Sequence, residues 1–489
     1  MSLTTPRSHS TARNSVSMLT GQLFSKGTLF VSLMILSRYL DDSHFGMLVF
    51  AVVLGQILIF LADLGVSVIS NRKFSLDTTH MQELYSTSLG LRFITCVAAW
   101  VLLALCSSVA GYGTEQTLMI LIVGLGSSME ACAELQYSVF RAGERMVFEA
   151  ITRAAGGIAA LVLVLLVVFA DLGPIAASAT YTIRALVMLT TSFAFLGRFK
   201  IRIQPSFYWK RMTELLRESW PLGVMGLLFV AFQRLDNVFI RELSGVESVG
   251  AYQESYRILE TFVLLITPSL LPGALFPGLC RAFKAGREEA KNRMVSIAQL
   301  VTGIAGAVMI PMFAGGIEFF RLIWGDNYLR GLGLDEVGTT FILLLAAIPI
   351  VFWMNYLLSS VIASGRQKVT LPVTSIALTI SIVGNLLLIP RIGIRGAAVM
   401  VLSANFIMCI LYYIVLRRDG PLPLLKLVWK PLIAALVSVP IIFLTAGLPI
   451  IIRMIVPTSA YLITWFMLGG AEMLLRKQES SSQDPGSSI

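Results

Sequence analysis

Charge is the scarcest ingredient of this 489-residue chain. Asp, Glu, Lys and Arg make up only 13% of it, against 56% hydrophobic residues. Soluble domains carry about a quarter charged residues, so a set of water-soluble cores is excluded. Cysteine is also sparse: Cys96, Cys106, Cys132, Cys280 and Cys409 lie mostly far apart within apolar segments. That spacing argues against a disulfide framework or thiolate metal site and leaves them as small core residues. The histidines, His9, His44 and His80, fall in the N-terminal tail and in loops, so no buried histidine relay is expected. No nucleophile–base pair, metal cluster or nucleotide-binding glycine loop occurs, so neither a cofactor nor an enzyme activity is expected. The N-terminal MSLTTPRSHSTARNS is polar and lacks a cleavable signal pattern, so the first apolar segment is expected to stay attached.

What the chain has instead is long apolar runs, such as Ile158 to Ala170 and Val401 to Leu416. With their flanking small residues these reach the roughly 20 residues that span a bilayer's hydrocarbon core. The fold class is therefore an all-α polytopic membrane protein. Fourteen helices are expected, at 15–38, 46–69, 86–109, 116–139, 147–170, 174–196, 218–240, 249–280, 295–323, 338–363, 369–389, 395–416, 431–447 and 451–475. Twelve is the competing count, because Pro440, Pro449 and Arg453 interrupt the last pair.

Loop charge orients these spans, since Lys and Arg collect on the cytoplasmic side. With both termini cytoplasmic, the inside loops hold Arg72, Lys73, Arg141, Arg145, six basic residues at 197–217, five from Arg281 to Arg293, Arg366, Lys368, and four from Arg417 to Lys430. The outside loops hold only Arg38, Arg241, Arg330, Arg391 and Arg395. The net charge of +10 is then a basic face beside anionic lipid headgroups. Its scatter over many short loops argues against nucleic-acid binding.

The loop at 197–217 divides the chain into a lobe at 1–217 (helices 1–6), a second at 218–417 (helices 7–12), and a third segment at 418–489 with two further helices and a polar tail. The two lobes resemble each other. LSRYLDDSHFGMLVFAVVL (36–54) matches the frame of IRELSGVESVGAYQESYRIL (240–259), with Gly46 against Gly250. RAGERMVFEAITRAAGG (141–157) sits like ASGRQKVTLPVTSIALT (363–379), and the later turns align Gly173 with Gly393. A duplicated six-helix unit is a common transporter build.

The cations within spans are Lys26, Arg92, Arg153, Arg184, Arg234, Arg257, Arg321 and Arg453. Each costs about 2.5–3.5 kcal/mol at a helix centre even on the lenient insertion scale. Arg321 and Arg453 lie near helix ends and can snorkel. The rest, at several depths on different helices, suggest a hydrated, positively charged interior. Glu149 and Arg153 have i,i+4 spacing and could simply pair. Glu254, Arg257 and Glu260 share a helix face, so pairing and function stay open there. Arg234 and Asp236 point to different faces, whereas Lys26 and Arg184 have no acidic neighbour within a turn. The acids Asp63, Glu130, Glu134 and Asp236 are candidates for ion coupling; Glu130 and Glu134 share a face and would repel if both ionised, unless nearby small residues such as Ser127 and Ser128 hydrogen-bond them. Pro268, Pro272 and Pro277 are expected to kink or interrupt helix 8. Gly27, Gly65, Gly124, Gly126, Gly156 and Gly157 would allow close helix packing.

LSRYLDDSHFGMLVFAVVLGQILIFLADLG near the start, QRLDNVFIRELSGVESVGAYQESYRI half-way and IPRIGIRGAAVMVLSANFI late together resemble the Wzx-type polysaccharide biosynthesis flippases. These belong to the multidrug/oligosaccharidyl-lipid/polysaccharide (MOP) transporter superfamily. The resemblance covers most of residues 14–417; many relatives have twelve helices, so helices 13 and 14 depart from them. It implies two six-helix lobes around a central cationic cavity, in a bacterial inner membrane. The implied substrate is an undecaprenyl-diphosphate-linked oligosaccharide, with a polysaccharide polymerase and a chain-length regulator as candidate partners. On this reading Lys26, Arg184, Arg234 and Arg257 bind the diphosphate or acidic sugars. The rivals are a drug/cation antiporter of the same superfamily, which would favour an acidic, aromatic cavity, and an integral-membrane polymerase or ligase, which would carry a sizeable outward loop.

Overall fold

The computed structural model describes residues 10–76, 80–199, 201–268, 275–325, 329–417 and 424–470, and no strand occurs among them. Sixteen helices follow in order: α1 (Ser10–Tyr39), α2 (Asp42–Asp63), α3 (Val66–Leu76), α4 (Met81–Val109), α5 (Thr114–Ala142), α6 (Val147–Phe169), α7 (Gly173–Leu196) and α8 (Trp209–Ser244). Then come α9 (Val246–Pro268), α10 (Phe276–Ala285), α11 (Arg287–Trp324), α12 (Leu334–Ala363), α13 (Thr370–Ile392), α14 (Ile394–Leu416), α15 (Leu424–Leu444) and α16 (Ile450–Met467). Eleven helices among the described residues are long and apolar enough to cross a membrane. Each of the fourteen expected segments falls on helix where it is described, and one of them, 46–69, is broken in two.

That break lies at Asp63-Leu64-Gly65. Leu64 (φ 45°) and Gly65 (φ 76°) turn into the left-handed region and end α2. The Asp63 carboxylate accepts from Gly65 N at 3.1 Å, Ser67 N at 3.3 Å and Ser67 Oγ at 2.5 Å, and so caps the start of α3. A Cβ on Gly65 would run into the backbone of Ser219 and Gly223, so glycine is required here for α8 to approach. The interruption expected at Pro268, Pro272 and Pro277 falls at and beyond the edge of the described residues: α9 is described as far as Pro268 and α10 from Phe276, Pro272 lies outside them, and the side chains of Pro268 and Pro277 are not described.

The chain forms two compact units. One comprises Met1–Gln253 with Leu329–Leu332, the other Glu254–Tyr328 with Gly333–Ile489, so the division falls inside α9. In the first unit α1 packs on α6, α6 on α7, α7 on α5, and α5 on α2, α3 and α4, while α8 lies against α2 and α3. Small residues set these approaches: a side chain at Gly21 would meet the Ala150 backbone, and one at Gly126 the Thr182 backbone. Gly156 and Gly157 lie against Met188 and Thr28, whereas Gly27 corrects the packing expectation, since a Cβ there would meet no described atom within 4 Å.

In the second unit α12 lies against α11 and α14, α13 against α14, and α15 and α16 against α11 and each other. The Trp465 indole covers Gly303, and Tyr461 covers Gly306 while donating to the Gly303 carbonyl at 3.1 Å. The last two helices are therefore anchored into this unit. Gly173 (φ 80°) and Gly393 (φ 62°), which align in the sequence comparison, both adopt positive φ immediately before or at the start of a helix.

Candidate functional site

The polar interior of the first unit is organised by one face of α5. Glu130, Glu134, Tyr137 and Arg141 follow at helical spacing and line up along that face over about 16 Å at 1.5 Å per residue. Neighbouring helices complete the row. Arg184 of α7 donates from Nη1 to Glu130 Oε2 at 2.9 Å and from Nη2 to Oε1 at 3.3 Å. Arg153 of α6 donates to Glu134 Oε1 at 2.5 Å and to Glu149 Oε1 at 3.0 Å. Arg141 grips Glu149 through both carboxylate oxygens at 2.7 and 2.8 Å and reaches Glu134 at 3.5 Å. The Arg153 guanidinium also lies over the Tyr137 ring, 4.6 Å from its centroid, a favourable cation–π placement.

These arginines and glutamates balance one another, so the row is close to neutral. Its members differ in access. The Glu149 side chain is fully buried, whereas those of Glu130, Glu134 and Arg141 are 21%, 26% and 25% exposed. Arg184 is buried, and its Nε has no hydrogen-bond partner among the described residues. The row thus has a closed end at Glu149 and two carboxylates open to approach.

Two further polar knots lie in the same unit. Arg92 of α4 is fully buried and pairs with Asp63, also donating to Ser67 Oγ at 2.8 Å. Asp236 of α8 is buried as well. It accepts from the Tyr252 hydroxyl and from Asn237 through both its backbone N and Nδ2, and Gln253 Nε2 donates to Asn237 Oδ1. Arg234 is buried, and Lys26 on α1 is half-buried beside the open space at Gly27. In the second unit Arg257 pairs with Glu260 at 3.0 Å.

Arg184 lacks an acid on its own helix, as its spacing indicates, but Glu130 arrives from α5, a neighbour that same-helix spacing does not read. The repulsion expected between Glu130 and Glu134 is relieved because each faces its own guanidinium. Arg153 makes the i,i+4 contact with Glu149 and a shorter one with Glu134. Arg453 does not stand alone at the interface either, because it pairs with Glu318 at 2.7 Å and donates to the Ala314 carbonyl. Spacing along single helices does not single out Arg141 and Arg153 as site residues; the signal in RAGERMVFEAITR is Glu149 with Arg141 on one side and Arg153 on the other.

The profile of the polysaccharide biosynthesis protein family matches residues 11–283, more than half the chain, and takes in all of α5, α6 and α7. The chain belongs to the polysaccharide biosynthesis protein family. Among solved structures, the lipid II flippase MurJ in an inward closed conformation shares 14% identity with this family member. It has a TM-score of 0.73 and covers 94% of this chain and 100% of its own. An inward-facing multidrug resistance MATE family transporter of the MOP superfamily gives 0.60 at 14% identity, over 83% of this chain and 98% of that one. A MOP superfamily transporter from Pyrococcus furiosus, described as having a binding pocket of reverse polarity, gives 0.58 at 15% identity over 84% and 95%. At these identities the likeness is one of fold. No curated protein sequence matches the chain.

Proposed function

We propose that this family member flips an undecaprenyl-diphosphate-linked oligosaccharide from the cytoplasmic to the outer leaflet of a bacterial inner membrane by alternating access. The observation that carries the reading is the row of guanidinium groups inside the first unit, at Arg184, Arg153 and Arg141, held against three carboxylates of which Glu130 and Glu134 remain partly open. A diphosphate crossing hydrocarbon needs fixed cations, and guanidinium forks match phosphate oxygens two at a time. Lys26, Arg234 and Arg257 are further candidates for the anionic head, and Asp63, Glu130, Glu134 and Asp236 for a coupling ion.

The second unit, taken by itself, holds an apolar space. A cavity of about 360 Å³ is lined by Met309, Ile310, Pro349, Trp353, Phe406 and Leu432, among others. Polar groups on its wall are satisfied by protein: Trp353 Nε1 donates to Thr302 Oγ1 at 2.8 Å and Tyr461 to the Gly303 carbonyl. Such a dry, apolar space suits a stretch of isoprenoid chain.

Family membership, the MurJ-like fold and the uneven distribution of Lys and Arg among the loops in the sequence support the reading. A polysaccharide polymerase and a chain-length regulator are the proposed partners downstream. The test is depletion of the protein with leaflet-resolved labelling of lipid-linked glycan: cytoplasmic-face accumulation is expected, restored by the wild type but not by Arg184→Glu. Normal surface glycan in the depleted strain, with intracellular retention of cationic dyes, would favour the antiporter reading.

A further inference from the structure

The arginine–glutamate row is close to neutral as it stands, so a bare electrostatic trap for an anion is not what the first unit presents. We infer that Glu130 and Glu134 are internal stand-ins for the cargo's phosphates: they occupy Arg184 and Arg153 while the site is empty, and yield those guanidinium groups to an arriving diphosphate. The inference rests on the proposed flippase reading and adds to it a gating role for acidic residues.

Three observations separate these two carboxylates from a merely structural pair. The first is asymmetry within the row. Glu149 is fully buried and takes bonds from two arginines, Arg141 through both oxygens and Arg153 at 3.0 Å. Glu130 is held by Arg184 alone among the ion pairs described, and Glu134 by Arg153 with only a 3.5 Å approach from Arg141. Second, Glu130 and Glu134 are about a fifth to a quarter exposed where Glu149 is not exposed at all, so these two pairs are open to approach from their carboxylate side. Third, Arg184 keeps an Nε–H with no partner among the described residues, although the group is buried. A guanidinium that engages a carboxylate through both terminal nitrogens and still holds a spare donor can accept a further oxygen before releasing the first.

Exchange of partners solves a physical problem. A buried arginine left without an anion is strongly destabilising, and a row of them would not survive the empty state. If the arginines stayed locked to glutamate, no cargo would bind. Partly exposed carboxylates meet both demands: they neutralise the empty site, and they compete with the cargo weakly enough for a diphosphate with more oxygens and more charge to displace them. They also favour release at the far side, because the glutamates take back the arginines when the cargo leaves.

The test is binding of farnesyl diphosphate, a short polyprenyl diphosphate, to the purified full-length protein in detergent, with melting temperature measured in parallel. Glu130→Gln, which keeps shape and a hydrogen-bond acceptor but removes the competing charge, is expected to bind about tenfold more tightly than wild type. Glu134→Gln gives an independent second measurement should Glu130→Gln fold poorly, with the same direction expected. Glu149→Gln is expected to lower the melting temperature without tightening binding, and Arg184→Gln to weaken binding about tenfold or more. Unchanged or weaker binding in both Glu130→Gln and Glu134→Gln, with Arg184→Gln still weakened, overturns the stand-in role and leaves the flippase reading intact. Binding unaffected by Arg184→Gln, or absent from the wild type and both glutamine variants, overturns both. Equal tightening by Glu149→Gln would mean that general loss of negative charge, and not these two positions, sets affinity, and also overturns the inference.

Discussion

Gly46 and Gly250, the two glycines that align between the halves of the sequence, meet in the folded chain. A Cβ on Gly250 would stand 3.4 Å from the Gly46 Cα and 3.2 Å from the Phe45 ring, and one on Gly46 would overlap the Val246 carbonyl oxygen. The start of α2 therefore crosses the start of α9 with almost no side chain between the backbones, which is how small residues drive helix association without a hydrophobic effect.

The two positions are not equally tolerant. Gly46→Ala places a methyl group against backbone that cannot rotate away, whereas Gly250→Ala presses mainly on a side chain. Overpacking typically costs about 1–3 kcal/mol; Gly46→Ala is expected near the top of that range and Gly250→Ala near the bottom. Thermal melts of the two variants in detergent check the order, and equal losses would contradict the crossing described.

Arg92 and Asp63 couple a buried cation to a broken helix. The carboxylate both neutralises Arg92 and caps α3 through Ser67. Removing one member of a buried pair costs about 3–5 kcal/mol. Asp63→Ala and Arg92→Ala should each lower folded yield sharply, while the double change Asp63→Asn with Arg92→Met should recover a good part of it. A double variant as unstable as the sum of the singles would show that the pair is not a unit.

Arg330 falls in a loop assigned by charge to the outer side, and it is buried with a positive φ of 50°. Its guanidinium donates to the Ser37 carbonyl at 2.7 Å and to Asp42 Oδ1 at 3.1 Å and lies 4.3 Å from the centroid of the Phe45 ring. Lysine is a point charge and cannot hold both acceptors and stack. Arg330→Lys should lose about 2 kcal/mol or more of stability, read as a fall in melting temperature close to that of Arg330→Ala. A lysine variant as stable as wild type would deny the fork a role.

Asp41 gives a pH signature outside the spans. Burial alone would raise its pKa, but hydrogen bonds from the His44 backbone at 2.8 Å and from the His44 ring, with nearby Arg330, hold it below the ordinary carboxylate value. A group with a depressed folded pKa stabilises the fold above its unfolded pKa of about 3.9, and that share is lost as pH falls through the folded value. The wild type should therefore lose more stability than Asp41→Asn between about pH 5 and pH 3, in parallel thermal scans. Coincident pH profiles would remove Asp41 from the account.

Much of this architecture was legible before folding. Long apolar runs announce helices because a bilayer leaves no water to satisfy an open backbone. Glu149 and Arg153 were readable as partners because a helix brings residues four apart together. What only the fold could decide is which helix faces which. Lipid and protein neighbours are both apolar, so the pattern of apolar residues does not set the rotation of a span about its axis. Hence Glu130 for Arg184, Glu134 for Arg153, the closing of Glu149 by Arg141, and the burial of Arg330 under α2 all escaped the one-dimensional reading. So did the break at Leu64-Gly65, where no proline marks the turn and the cap that stabilises it is completed by an arginine twenty-nine residues away.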